Sequence, residues 1–194
     1  MFERHTLRPI GSSKEGAVVH IRGTVRAGGG DLLLAPLSGR PCVAWTLNVS
    51  EDRGNNFGTV HDERTLRPFF VDDDHDTAFV TPVASRLSLI EDTKFDSLID
   101  KPVPGLVAHL KKGDFEMRPQ ARYIVREGIL SEGEPIAVVG RGRWESDPMR
   151  SGEGYRSIGR RLVVTNGPGG AVHITDDPSL PRLKAPKKPR PSSA

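Results

Sequence analysis

Asp72-Asp73-Asp74-His75-Asp76, Cys42 and Ser38 are the positions whose types and spacing bear most directly on chemistry. The acidic run offers carboxylate oxygens to a hard cation, but it lacks the alternating ligands, the turn glycine and the distal Glu of an EF-hand loop. Alternate residues of an extended chain point to opposite faces, so only some of these carboxylates can converge. Asp72, Asp74 and Asp76 are therefore weak metal candidates, and a solvated hairpin tip is the competing expectation. Cys42 stands two residues from Arg40, whose charge would lower a thiol pKa. A cysteine that opens a strand more often serves as a small buried hydrophobe. No spacing pairs it with one of His5, His20, His61, His75, His109 or His173. Ser38, in Leu37-Ser38-Gly39-Arg40, lacks the Gly-x-Ser-x-Gly elbow of a hydrolase. Gly28-Gly29-Gly30 and Asn166-Gly167-Pro168-Gly169-Gly170 precede neither a Gly-Lys-Ser/Thr triplet nor a helix, so they read as turns rather than phosphate loops. No catalytic residue and no cofactor is expected.

A single-stranded nucleic acid would need cations and stacking planes. Arg141, Arg143, Trp144, Arg156, Arg160 and Arg161 supply a modest set. Aromatic residues make up only 6% of the 194 residues, and Trp45, Phe69 and Phe79 are expected in the core. The net charge of +3 is also misleading. Five of the 28 Lys and Arg fall in residues 181–194, leaving 23 bases against 25 acids before that segment.

The elements that must position these residues are short and β-like. Gly 21 and Pro 16 punctuate many brief apolar runs, which favours a β-rich architecture of one domain. The expected organisation is an N-terminal arm over 1–15, a single domain over 16–178 and a disordered Pro/Lys/Arg-rich tail over 179–194. One cysteine, no apolar leader and no run long enough to span a bilayer predict a cytoplasmic chain without membrane insertion.

Along the chain, residues 17–25 and 32–35 predict the first two strands. The turn Ala35-Pro36-Leu37-Ser38-Gly39-Arg40-Pro41-Cys42 then leads into a strand over 42–50, with Trp45 as a core anchor. Gly23 predicts a bulge or a close backbone approach. Residues 51–64 read as a polar connection, and 68–71 with 77–82 as a hairpin around the Asp-rich link. Residues 102–112 form the one helix expected, with Val103, Leu106, Val107 and Leu110 at helical spacing. Residues 123–130 and 135–140 predict a hairpin, 143–159 a loop, and 162–165 with 171–175 a final pair. Met1–Ser13 reads as loosely held.

Ile21-Arg22-Gly23-Thr24-Val25, Ala35 to Cys42, Pro68-Phe69-Phe70-Val71-Asp72-Asp73, and Glu127-Gly128-Ile129-Leu130 with Val138-Val139-Gly140 together resemble the GIDE-type domain. This is the "beside a membrane" module of mitochondrial ubiquitin ligases, also found in bacterial proteins. The resemblance covers roughly residues 16–140 and implies a compact antiparallel, barrel-like (OB-like) β domain that binds or senses a protein partner. Gly23, Pro36, Ser38, Gly39, Pro41, Cys42, Trp45 and Glu127 would be its structural residues. The chain departs from the ligases in having no Cys/His array for a RING domain and no flanking membrane helices. His75-Asp76 also stand where a turn glycine is expected.

The expectation is thus a non-enzymatic interaction module for an unknown protein partner, with Arg40, Arg141, Arg143 and Trp144 as candidate contacts. A single-stranded nucleic-acid binder is the first alternative, and a hydrolase or metal-dependent enzyme the second.

Overall fold

The structure, a computed structural model, describes residues 2–81, 83–98, 100–101, 103–151, 158–167 and 169–179. Most of the basic tail, and Arg156, lie outside them.

The chain is mainly β with a single α-helix. Strand β1 (Val18–Ala27) is followed by the short β2 (Leu33–Leu34) and β3 (Pro41–Cys42), then β4 (Ala44–Asp52) and β5 (Phe57–Leu66). β6 (Phe69–Asp72) and β7 (Thr77–Val80) form the hairpin expected around the acidic link. β8 (Ser85–Ser88), β9 (Thr93–Asp96) and α1 (Pro104–Lys112) follow, then β10 (Tyr123–Leu130), β11 (Pro135–Ser151), β12 (Ile158–Thr165) and β13 (Val172–Thr175).

Five of these strands pair in a cycle. β1 holds β11 along Val18–Thr24 and β6 along Thr24–Ala27. β6 pairs with β7, β7 runs parallel to β12, and β12 pairs antiparallel with β11, which returns to β1. A five-strand ring closed in this Greek-key manner is the arrangement of an OB-like barrel. β13 and β8 extend it from the second edge of β11. Val25, Val71, Ala78, Val80, Ile136, Leu162 and Val164 fill the ring.

The two long excursions from the ring, one after β1 and one after β7, build a second sheet in the order β5-β4-β10-β9. The helix covers it with Leu106 and Leu110, both 1% exposed. Pro104 suits the first helical turn, where its missing N–H has no partner to lose. Gly113 closes the other end by donating to the carbonyls of His109 and Leu110. The segment that enters and forms β4 joins the two cores: Val43 and Ala44 pack into the ring, whereas Cys42, Trp45, Leu47 and Val49 pack beneath the helix. Within β4, Trp45, Leu47 and Val49 make the buried face, and Thr46 and Asn48 on the other are partly exposed.

Several sequence expectations are corrected by the pairing. β10 and β11 do not form a hairpin, because the link 131–134 carries the chain from one sheet to the other. That crossing is held by the Gly133 amide donating to the Val25 carbonyl at 2.9 Å and the Val25 amide to the Glu134 carbonyl at 2.9 Å. β12 and β13 do not pair with each other either; both lie along β11. Residues 51–64 include most of β5, a strand whose polarity reflects its place at a sheet edge, where one backbone side has no strand neighbour. The expected loop 143–159 is largely strand, since β11 continues through it to Ser151. The N-terminal arm is docked, not loose: Ile10 is fully buried in the ring core and its amide donates to Asp73 Oδ2 at 2.7 Å.

Gly23 stands where β1 passes from one partner to the other, and β6 crosses it closely. A Cβ there would lie 2.2 Å from the Asp72 carbonyl oxygen and 2.8 Å from a Val71 methyl. Backbone cannot yield as a flexible side chain can, so Gly23→Ala is expected to cost about 2 kcal/mol or more in urea unfolding. Gly16→Ala offers a contrast, having open space but a φ of +69°. It should cost only about 1 kcal/mol.

Candidate functional site

The 35–42 turn is built around Glu127. This residue sits on β10 opposite Leu47, on the side of the sheet that faces the helix, and is 0% exposed. A buried carboxyl must find hydrogen-bond donors. Its Oε2 accepts the Leu37 amide at 2.6 Å and its Oε1 the Ser38 amide at 3.1 Å. Gly39, at φ +69°, turns the chain so that its own amide reaches the Ala35 carbonyl at 2.9 Å. The Ala35 amide in turn donates to the Arg40 carbonyl at 3.0 Å, and Pro41 closes the two-residue ladder opposite Leu34, where no amide is required of it.

The turn has a second tether. Asp92 accepts the Ile129 amide at 2.8 Å, donates its own amide to the Glu127 carbonyl at 2.9 Å, and stands 4.0 Å from the Arg40 guanidinium. Arg40 is half exposed. An exposed ion pair at this distance is worth less than about 1 kcal/mol. It leaves the guanidinium accessible.

Cys42 lies sealed under the turn, with its Sγ 3.8 Å from the Leu33 carbonyl. Burial, followed by the negative potential of Glu127 and Glu134, pushes the thiol up to about 11. Arg40 acts in the opposite sense but is outweighed. The Ser38 hydroxyl faces the Arg40 amide at 3.4 Å, a contact internal to the turn.

The acidic hairpin is organised by its own backbone. Asp72 accepts the Asp74 amide at 2.9 Å and pairs with Arg26 at 2.7 Å. Asp73 accepts the amides of His75 and Asp76 and, from the arm, that of Ile10. Asp74, at φ +72°, takes the left-handed position that a turn glycine was expected to fill, as Asp can. The Asp72 carboxylate is thus drawn into capping and pairing, Asp74 contributes its backbone amide to that cap, and Asp76 lies against Gly11. Among the described residues, no group of three or more His, Cys, Asp or Glu side chains is arranged to hold a metal ion.

The candidate contacts separate in space. Arg141 and Arg143 lie on the outer side of β11, with Arg141 donating to the Gly16 carbonyl at 2.8 Å and Arg143 paired with Glu145. Trp144 points the other way. It packs against the ring core, gives its indole N–H to the Ser13 carbonyl at 2.9 Å, and lies 5.6 Å from Arg160. It holds the arm through that bond.

Phe79 is not in the core. The registers Arg26↔Phe70, Phe70↔Phe79, Phe79↔Val163 and Val163↔Arg143 trace one continuous row across the outside of the ring. Phe70 and Phe79 are partly exposed and pack with ring centroids 4.9 Å apart and ring planes tilted by 41°. The Arg161 guanidinium sits 4.9 Å from the centre of the Phe79 ring. The hairpin already carries the signal for this pair: Phe69, Val71, Ala78 and Val80 form the inward set, which leaves Phe70 and Phe79 outside.

A histidine pair also escapes sequence reading. An irregularity opposite Val49 and Ser50 leaves Val60 without a partner, and His61 and Glu63 lie on the helix side of β5. His109 reaches down from α1, so that both imidazole Nε2 atoms meet Glu63 Oε2, at 3.3 and 2.8 Å. His109 also meets Trp45 edge-on at 5.3 Å. The cluster fastens the helix to the edge strand.

No family model, curated protein or solved structure matches this chain. No helix among the described residues is long and apolar enough to cross a membrane.

The Cys42 thiol yields a check on the sealed turn. Its pKa is higher in the fold than in the unfolded chain, so its stabilising contribution is complete below about pH 9 and is lost as pH rises through about 11. At pH 9 the native thiol should react with a disulfide reagent at least 100-fold more slowly than in urea-unfolded protein. Comparable rates in both states would show the turn to be open.

Proposed function

We propose that the protein is a non-enzymatic cytoplasmic module that docks a protein partner on the outer face of β6, β7, β12 and β11. The single observation carrying this reading is the packed Phe70–Phe79 pair, partly exposed and framed by charge pairs of both signs. Aromatic anchors beside arginine are what binding energy concentrates on at protein interfaces. The resemblance to the GIDE-type domain supports the same class. Arg143, among the contacts expected from sequence, belongs to this face. Arg40 does not, and faces Asp92 beside the second sheet.

The composition of the face favours protein over nucleic acid. Arg26 is paired with Asp72, Arg143 with Glu145, Arg141 is tied to the Gly16 carbonyl and Arg161 lies against Phe79, so the cations of this face are already engaged within the fold where a polyanion would need free ones. The acidic hairpin 72–76 adjoins the same strands and would repel phosphates. An enzymatic reading has less support still, because Cys42 is sealed and Ser38 is engaged within its turn.

The test compares wild-type protein with Phe70→Ser/Phe79→Ser in affinity capture from the source cell, with captured proteins identified and rebound in purified form. The double variant should weaken a specific partner at least tenfold, which corresponds to about 1.4 kcal/mol. A partner held equally by both proteins would overturn the assignment of this face. Salt-sensitive binding of oligo-dT or oligo-rU, lost in the same variant, would replace the protein partner with nucleic acid.

A further inference from the structure

Between the N-terminal arm and the start of β1 lies a cavity of about 150 Å³, lined by Arg8, Ser12, Ser13 and Lys14 on the arm and by Val18 and Val19 on the strand. Its walls are fixed. The Arg8 amide donates to the His20 carbonyl at 3.0 Å, Ile10 is buried in the core, and the Trp144 indole holds the Ser13 carbonyl at 2.9 Å. A 3-10 turn over Ile10–Ser12 brings the two serines and Lys14 to one side of the arm.

Three donors in this cavity have no evident use in the fold. Ser13 is only 9% exposed, and its hydroxyl makes no hydrogen bond among the described residues. Neither the Arg8 guanidinium nor the Lys14 ammonium forms an ion pair among them. Glu15, the acid that follows Lys14, is turned away, with Oε2 accepting the Trp144 amide at 2.8 Å. A buried hydroxyl without a partner is a cost that folds normally avoid, and it becomes useful when a ligand supplies an acceptor.

We infer that this cavity is a binding site for a phosphate group, as the free ion or as a phosphate monoester. Arg8 supplies a planar fork for two oxygens, Lys14 a mobile point charge, and Ser13, on turning its hydroxyl out of the sealed position it holds, an O–H for a third oxygen. A tetrahedral oxyanion uses all three, and its charge is matched by two cations. The site shares no residue with the Phe70–Phe79 face, so each can fail without the other.

The experiment is a titration of the full ¹⁵N-labelled chain, at constant ionic strength, with inorganic phosphate and separately with a phosphoserine peptide and its unphosphorylated counterpart. Saturable amide shifts confined to about residues 8–19 are expected with phosphate, the phosphopeptide or both, and none with the plain peptide. Arg8→Gln/Lys14→Gln should weaken binding at least tenfold and Ser13→Ala severalfold, with near-ultraviolet circular dichroism unchanged. If the double variant loses its native spectrum, Lys14→Gln alone carries the test and should weaken binding at least threefold. Absence of saturable shifts with both phosphate ligands, or folded variants that titrate like wild type, would overturn the site.

Discussion

Two hydrogen bonds, from the Leu37 and Ser38 amides to the buried Glu127 carboxyl, are the constraint on which the arrangement of the two sheets depends. Leaving one partner of a buried hydrogen bond unsatisfied costs about 1–3 kcal/mol, so both the turn and the carboxyl are committed to this geometry. The turn then sets where β4 begins. Ala44 of β4, with Val43 just before it, packs into the ring, and Trp45, Leu47 and Val49 of the same strand pack into the helix-covered core. The 35–42 motif therefore acts as a joint between the two cores.

The same logic separates scaffold from surface. Three acidic side chains are spent on backbone: the buried Glu127 on the turn, and the more exposed Asp92 on Ile129 and Asp73 on the hairpin and arm. Tyr123 and Glu51 bond to each other at 2.9 Å beneath the far end of the second sheet. What is left over lies outside the barrel. The Phe70–Phe79 pair serves no core, since Phe69, Val71, Ala78 and Val80 already fill the inward positions of that hairpin.

Much of this was legible in the residues. Alternation found β1, β4, β6, β7 and β10, and helical spacing found α1, because those patterns are local. Pairing was not legible wherever neighbours in sequence part company in space. The links after β10 and β12 look like hairpin turns, yet β11 takes both strands' place in the ladder by offering one edge to β1 and the other to β12 and β13. Polar strands are also hard to read: β5 and residues 141–147 of β11 carry charge because each has a wet face. At the site, Gly39, Ser38 and Glu127 were recognised as structural, whereas Phe79 was assigned to the core and Trp144 to the surface. The facing of Phe79 follows from the alternation of its own hairpin, whereas that of Trp144 is decided by the pairing of β11 with β12.

The central claim is tested most directly by native-state hydrogen exchange at the Leu37 and Ser38 amides. If the Glu127 carboxyl holds the turn, both amides are protected to within about 1–2 kcal/mol of global unfolding, although they lie in a loop. In Glu127→Gln, whose amide offers one acceptor in place of two, one of them should exchange at least tenfold faster while Leu47 and Val49 keep their protection. Rapid exchange of both amides in the wild-type protein, or protection unchanged in Glu127→Gln, would contradict the account.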